Sequence, residues 1–196
     1  MTQKKNMLGK WSSFQLVFIA LMVAADVGMG FVVKPLLGVT GIDQIIRLDL
    51  ILPTAFMILT RLMIDRFGTI LIYELIWGVV ATLAMPTSFG GLPGPVKLIP
   101  ALVNGLLLDS LLELFKNRPA VRVAFASVAG GAAATAAFML VRVAFGFPWS
   151  KVVKILLGLQ MATNMIVYAA GALLGLKIWQ SIKDTYLAKT ISGNSS

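Results

Sequence analysis

The chain has 196 residues, no cysteine, no histidine and a formal net charge of +9. It is 58% hydrophobic and only 13% charged, whereas a soluble domain is about 45–50% apolar and about 25% charged. That composition excludes a soluble globular domain, disulfides, thiolate metal sites and the ordinary histidine proton relay.

Apolar runs near the roughly 20 residues needed to cross a bilayer recur along the chain, and mean hydropathy is +0.89. The expected fold is an all-α, polytopic membrane protein, a single domain over 1–196 with six transmembrane helices in one bundle. The spans fall at about 13–33, 48–63, 68–86, 96–115, 121–145 and 154–179, with short tails at 1–12 and 181–196. The basic start, Met1 to Lys10, precedes an apolar run too long for a signal-peptide core, so it reads as a retained first span.

Six spans put both termini on one side of the membrane. Eleven Lys and Arg then share the side of the termini, and Lys34, Arg47, Lys97, Arg142, Lys151 and Lys154 lie on the other. The larger count predicts cytoplasmic termini in a multi-pass protein of the cell membrane. Six cations are nevertheless a surplus for outer loops. No aromatic-interleaved basic tract accompanies them, so no nucleic-acid partner is expected.

In the first span Ala20, Ala24 and Gly28 recur every four residues, a row of small side chains that lets another helix approach closely. The row serves either packing inside the bundle or docking of a separate protein. Asp26, in the outer part of the same span, is either a site residue or the partner of an outer cation. The following segment, 34–47, is long for a helix hairpin and reads as a lid folded over the bundle. Arg47 and Asp49 close it at the outer mouth, as ligand contacts, interfacial anchors or a mutual ion pair.

The third span carries Glu74 and Trp77, three apart and so on one helical face. A carboxylate beside an indole suits a flat or cationic ligand, although Trp77 alone also suits lipid or core packing. A bare acid inside a membrane helix is costly and by default functional. The loop 86–95 is rich in Gly and Pro but lacks the Gly-Lys-Ser/Thr of a phosphate-binding loop. Lys97 follows it, Asn104 lies about two turns further on, and Asp109 and Glu113 form an i, i+4 pair. Glu113 is near the inner end, where Lys116 or Arg118 would pair with it; Asp109 is deeper and reads as a site residue.

The fifth span is rich in Ala and Gly and reads as a close-packing helix, with Arg142 snorkelling at its outer end and Trp149 as an interface anchor. The sixth has a polar stripe of Gln160, Asn164 and Tyr168, each four apart, made either for interhelical hydrogen bonds or for a ligand. The tail from Ser181 is polar and expected to fray.

Taken together, these residues resemble the substrate-binding S components of energy-coupling-factor (ECF) vitamin transporters. The resemblance covers nearly the whole chain and includes Ala20-xxx-Ala24. Within that group, Gly68 to Arg118 is most similar to the thiamine/hydroxymethylpyrimidine type, through Gly68, Glu74, Gly94-Pro95 and Gly105 with Asp109; the fourth-span acid is Asp where that pattern has Glu. The resemblance implies a vitamin-binding subunit that docks on a transmembrane T component through the first-span row, while two cytoplasmic ATPases drive the cycle.

The expected substrate-binding set is Asp49, Glu74, Trp77, Lys97, Asn104, Asp109, Gln160 and Asn164, with Ala20, Ala24 and Gly28 for docking. No catalytic residue, cofactor or metal is expected. The expected partners are a vitamin-sized molecule, the T component, the ATPases and membrane lipid. The embedded acids favour a cation such as thiamine, whereas Lys97, Arg47 and Arg142 would suit a carboxylate vitamin. An ion-coupled secondary transporter, a membrane enzyme using Asp109 and Glu74, and a ligand-free scaffold are the rival readings.

Overall fold

In the computed structural model, residues 11–40, 46–84, 94–115 and 119–192 are described. They are helical throughout, with no strand among them. The helices are α1 (Ser13–Thr40), α2 (Ile51–Ile64), α3 (Thr69–Ala84), α4 (Leu98–Leu114), α5 (Pro119–Ala144), α6 (Trp149–Leu156), α7 (Leu159–Ile182) and α8 (Tyr186–Ser192). Single 3₁₀ turns at Leu48–Leu50 and Gly94–Lys97 lead into α2 and α4.

Six of these form a closed ring. α1 packs on α3, α3 on α4, α4 on α5, α5 on α7, α7 on α2, and α2 back on α1. α2 is the most enclosed, with nine of its fourteen residues buried. Its seam with α7 is a backbone contact: a Cβ at Gly171 would lie 2.6 Å from the Ile51 carbonyl oxygen, and one at Gly175 the same distance from that of Ala55. Only a residue without a side chain lets two helices approach so closely. The Ala- and Gly-rich α5 packs tightly in the expected manner, with Gly130 against Leu108 and Asn104 and Gly131 beneath the Tyr168 ring.

Four stretches are long and apolar enough to cross a membrane: Ser13–Leu37, Pro95–Leu114, Pro119–Ala144 and Leu159–Ile182, joined by the shorter apolar helix Thr69–Leu83. They are the composition of a membrane protein. Six crossings do not follow from length alone, because α2 has 14 residues and spans about 21 Å at 1.5 Å per residue.

Three expectations change. α1 continues through Pro35 to Thr40, so much of the expected 34–47 lid is helix; residues 41–45 lie outside the described set, as do 85–93 of the Gly/Pro loop. The last span does not start near 154. A separate helix, α6, ends at Leu156, and α7 begins after Gly158. The tail also contributes structure up to Ser192: α8 buries Ala188 and Ile191 against α1 and α2, and Gln15 Nε2 donates to the Ile191 carbonyl at 3.4 Å.

Candidate functional site

Both ends of the ring contain buried charge. At the end where the described chain starts and stops, Arg61 is wholly buried near the end of α2. Its Nε donates to Asp109 Oδ1 at 2.9 Å, its Nη1 to Asp65 Oδ1 at 3.1 Å and its Nη2 to Glu113 Oε2 at 3.0 Å. The other oxygen of Asp109 accepts the backbone N–H groups of Ile70 and Leu71, at 2.9 and 3.0 Å. These are first-turn donors of α3 that no carbonyl of that helix can satisfy. One carboxylate thus caps α3 and neutralises α2. Arg122 Nε donates to the Leu112 carbonyl beside this cluster.

This arrangement corrects the reading of Asp109 as a substrate ligand. The carboxylate is completely buried, engaged on both oxygens, and absent from the cavity wall. Glu113 pairs with Arg61; its expected partners, Lys116 and Arg118, lie outside the described residues.

The opposite end holds a cavity of about 240 Å³. It is framed by the second half of α1, the 3₁₀ turn and start of α2, the second half of α3, the start of α4, the second half of α5, α6 and the start of α7. Seven of the eight expected substrate-binding residues meet there: Asp49, Glu74, Trp77, Lys97, Asn104, Gln160 and Asn164. Residues 111 positions apart in sequence, Asp49 and Gln160, share this wall because the ring brings α2 and α7 together.

The wall is charged and aromatic. Asp26, Asp49 and Glu74 face Arg47 and Lys97, and Tyr73, Trp77, Phe138 and Tyr168 supply ring surface. Arg47 and Asp49 form a two-pronged ion pair, Nε to Oδ1 at 2.8 Å and Nη2 to Oδ2 at 2.9 Å. The Tyr73 hydroxyl donates to Asp26 Oδ2 at 3.0 Å, and Asn104 Nδ2 donates to Glu74 Oε1 at 2.5 Å. Lys97 is buried on the same wall. Two acceptors, Asn104 Oδ1 and Asn164 Oδ1, are buried without a hydrogen-bond partner among the described residues. A buried amide oxygen left unpaired costs about 1–3 kcal/mol; that of Asn104 lies against Gly130 of α5.

Sequence reasoning left Asp26, Arg47, Tyr73 and Tyr168 out of the substrate-binding set. Asp26 had a usable signal, an acid in the outer part of an apolar span. Tyr73 had none, since a tyrosine in an apolar helix marks core or interface equally well. Among the described residues no group of three or more His, Cys, Asp or Glu is arranged for a metal.

Ala20, Ala24 and Gly28 all lie on the exposed side of α1, and a Cβ built at Gly28 meets nothing within 4 Å. Among the described residues the row takes no part in packing the bundle, which corrects the first of its two readings.

Comparison of the chain with protein-family models, with curated proteins and with solved structures returned no match.

Proposed function

We propose that this chain is a membrane-embedded binding subunit for the uptake of a small organic cation, an S component of the ECF kind for thiamine or a hydroxymethylpyrimidine-like precursor. The observation that carries this reading is the cavity at the end of the bundle opposite the first and last described residues, whose wall has three carboxylates, two cations and four aromatic rings. Carboxylate excess and ring faces together suit a flat cation.

On this reading the six ring helices cross the bilayer, the termini are cytoplasmic, and the cavity opens to the outer face. The exposed row Ala20, Ala24 and Gly28 docks a transmembrane T component, and partner ATPases supply the energy, since no nucleotide-binding motif occurs in the chain. Native mass spectrometry of the purified protein, followed by calorimetry with thiamine, tests the proposal. A retained vitamin-sized cation supports it. A protein that holds no such ligand and binds none, or that drives uptake alone on an ion gradient, would overturn it.

Buried Lys97 on the same wall favours one second reading, an S component for a carboxylate vitamin. The mass and charge of the retained ligand separate the two.

A further inference from the structure

The cavity end carries more positive charge than the site uses. Arg47 is paired with Asp49, and Lys97 is buried in the wall. Arg142, Lys151 and Lys154 remain, and none makes a salt bridge to a carboxylate among the described residues. They belong to one structural unit. The end of α5 turns through Phe145–Phe147, whose N–H groups return to the carbonyls of Arg142 and Val143 at 2.9–3.1 Å. The Arg142 guanidinium rests on the Phe147 ring at 3.8 Å, and α6 starts immediately afterwards.

α6 is sharply two-sided. Val152 is wholly buried and Ile155 reaches the cavity wall, so one face closes the bundle. Lys151 and Lys154, three apart, are both exposed. The surface beside them is apolar rather than watery: Trp149 is 56% exposed, Phe145 56%, Leu157 84% and Leu159 71%. Cations flanked by exposed indole, phenyl and leucine side chains match an amphiphile, with an anionic head for the lysines and hydrocarbon for the apolar surface.

We propose that Arg142, Lys151 and Lys154 hold the phosphate of an anionic phospholipid against α6, at the rim of the cavity. The helix lies at headgroup level, with Trp149, Leu157 and Leu159 among the lipid chains. Because Ile155 of the same helix contributes to the cavity wall, a bound lipid also fixes one side of the solute site. The inference rests on the membrane character of the chain and not on the identity of the solute.

The test is native mass spectrometry of the intact protein in detergent, titrated with phosphatidylglycerol or phosphatidylcholine. Wild type is expected to retain phosphatidylglycerol in preference. Lys151→Gln/Lys154→Gln should weaken that binding about fivefold per lysine, roughly twenty-fivefold together, without changing retention of phosphatidylcholine. Lys177→Gln/Lys183→Gln, which removes two exposed cations at the other end of α7, should keep the tight phosphatidylglycerol adduct. Equal losses from the two double variants, or no loss from the α6 pair, would overturn the proposal. So would release of the lipid by inorganic phosphate alone, which would assign the cations to a free anion. All four lysines are exposed, so folding is expected to survive; the thermal midpoint of each variant checks this.

Discussion

The two ends of the bundle bury similar chemistry with opposite outcomes. At one end Arg61 meets Asp65, Asp109 and Glu113, and each of its donor nitrogens and both Asp109 oxygens have partners from the chain itself. At the other, Asp26, Asp49 and Glu74 surround a cavity, and two amide oxygens on its wall have no partner among the described residues. Glu74 and Asp109 are both acids in apolar helices of the same hairpin. What separates a clasp from a site is not the acid or its depth but whether the fold supplies every partner.

Removing the clasp should have the largest effect. Asp109→Ala leaves buried Arg61 without one of its acids and uncaps α3, and breaking a buried ion pair on one side costs about 3–5 kcal/mol. Thermal unfolding in detergent should register this as a loss of folded protein; wild-type stability would mean that the cluster does not hold the closed end. Glu74→Gln should do the reverse, sparing the fold and weakening a cationic ligand by about 1–3 kcal/mol. Calorimetry with unchanged affinity would remove Glu74 from the site. Lys97→Met is expected to have a smaller effect on a cation, neutral or slightly favourable because a like charge is lost. A large loss of affinity would instead identify an anionic ligand. The smallest effect on the isolated protein is expected from Ala24→Leu, within about 0.5 kcal/mol of wild-type stability, as for other exposed substitutions. Its effect should emerge only in loss of copurification with a T component; if bulk at Ala24 leaves that association intact, the docking role is wrong.

The sequence showed where helices lie better than where they stop. Spans 13–33 and 121–145 were legible because long apolar runs are interrupted by few charges, Asp26 in the first and Arg122 and Arg142 in the second. The break at Leu157-Gly158 was not, because Val152 to Leu157 contains only one charge and passes for the start of a span. α8 was hidden by its polar residues, since burial of Ala188 and Ile191 depends on α1 and α2 arriving beside them. Of the seven expected residues that line the cavity, six stood out as polar groups in an apolar sequence and Trp77 by its place three residues after Glu74. Asp109 was misread by the same rule, because its cation, Arg61, had been counted among the residues that set topology. One-dimensional reasoning can recognise a costly group but not the distant group that offsets the cost.

Arg61 also imposes an order on biogenesis. As α2 emerges from the ribosome, Asp65 follows at once, but Asp109 and Glu113 are made 48 and 52 residues later. Until then the guanidinium is incompletely neutralised; at the centre of a membrane helix that would cost about 2.5–3.5 kcal/mol, and in the last turn of α2, where Arg61 sits, it costs less. On the proposed function, in which α2 crosses the bilayer, α2 enters with α4 rather than ahead of it. A chain without cysteine allows this to be followed with one introduced in α2. The thiol should react with a water-soluble reagent in nascent chains halted before Asp109 has been made, and become protected once Glu113 has cleared the ribosome.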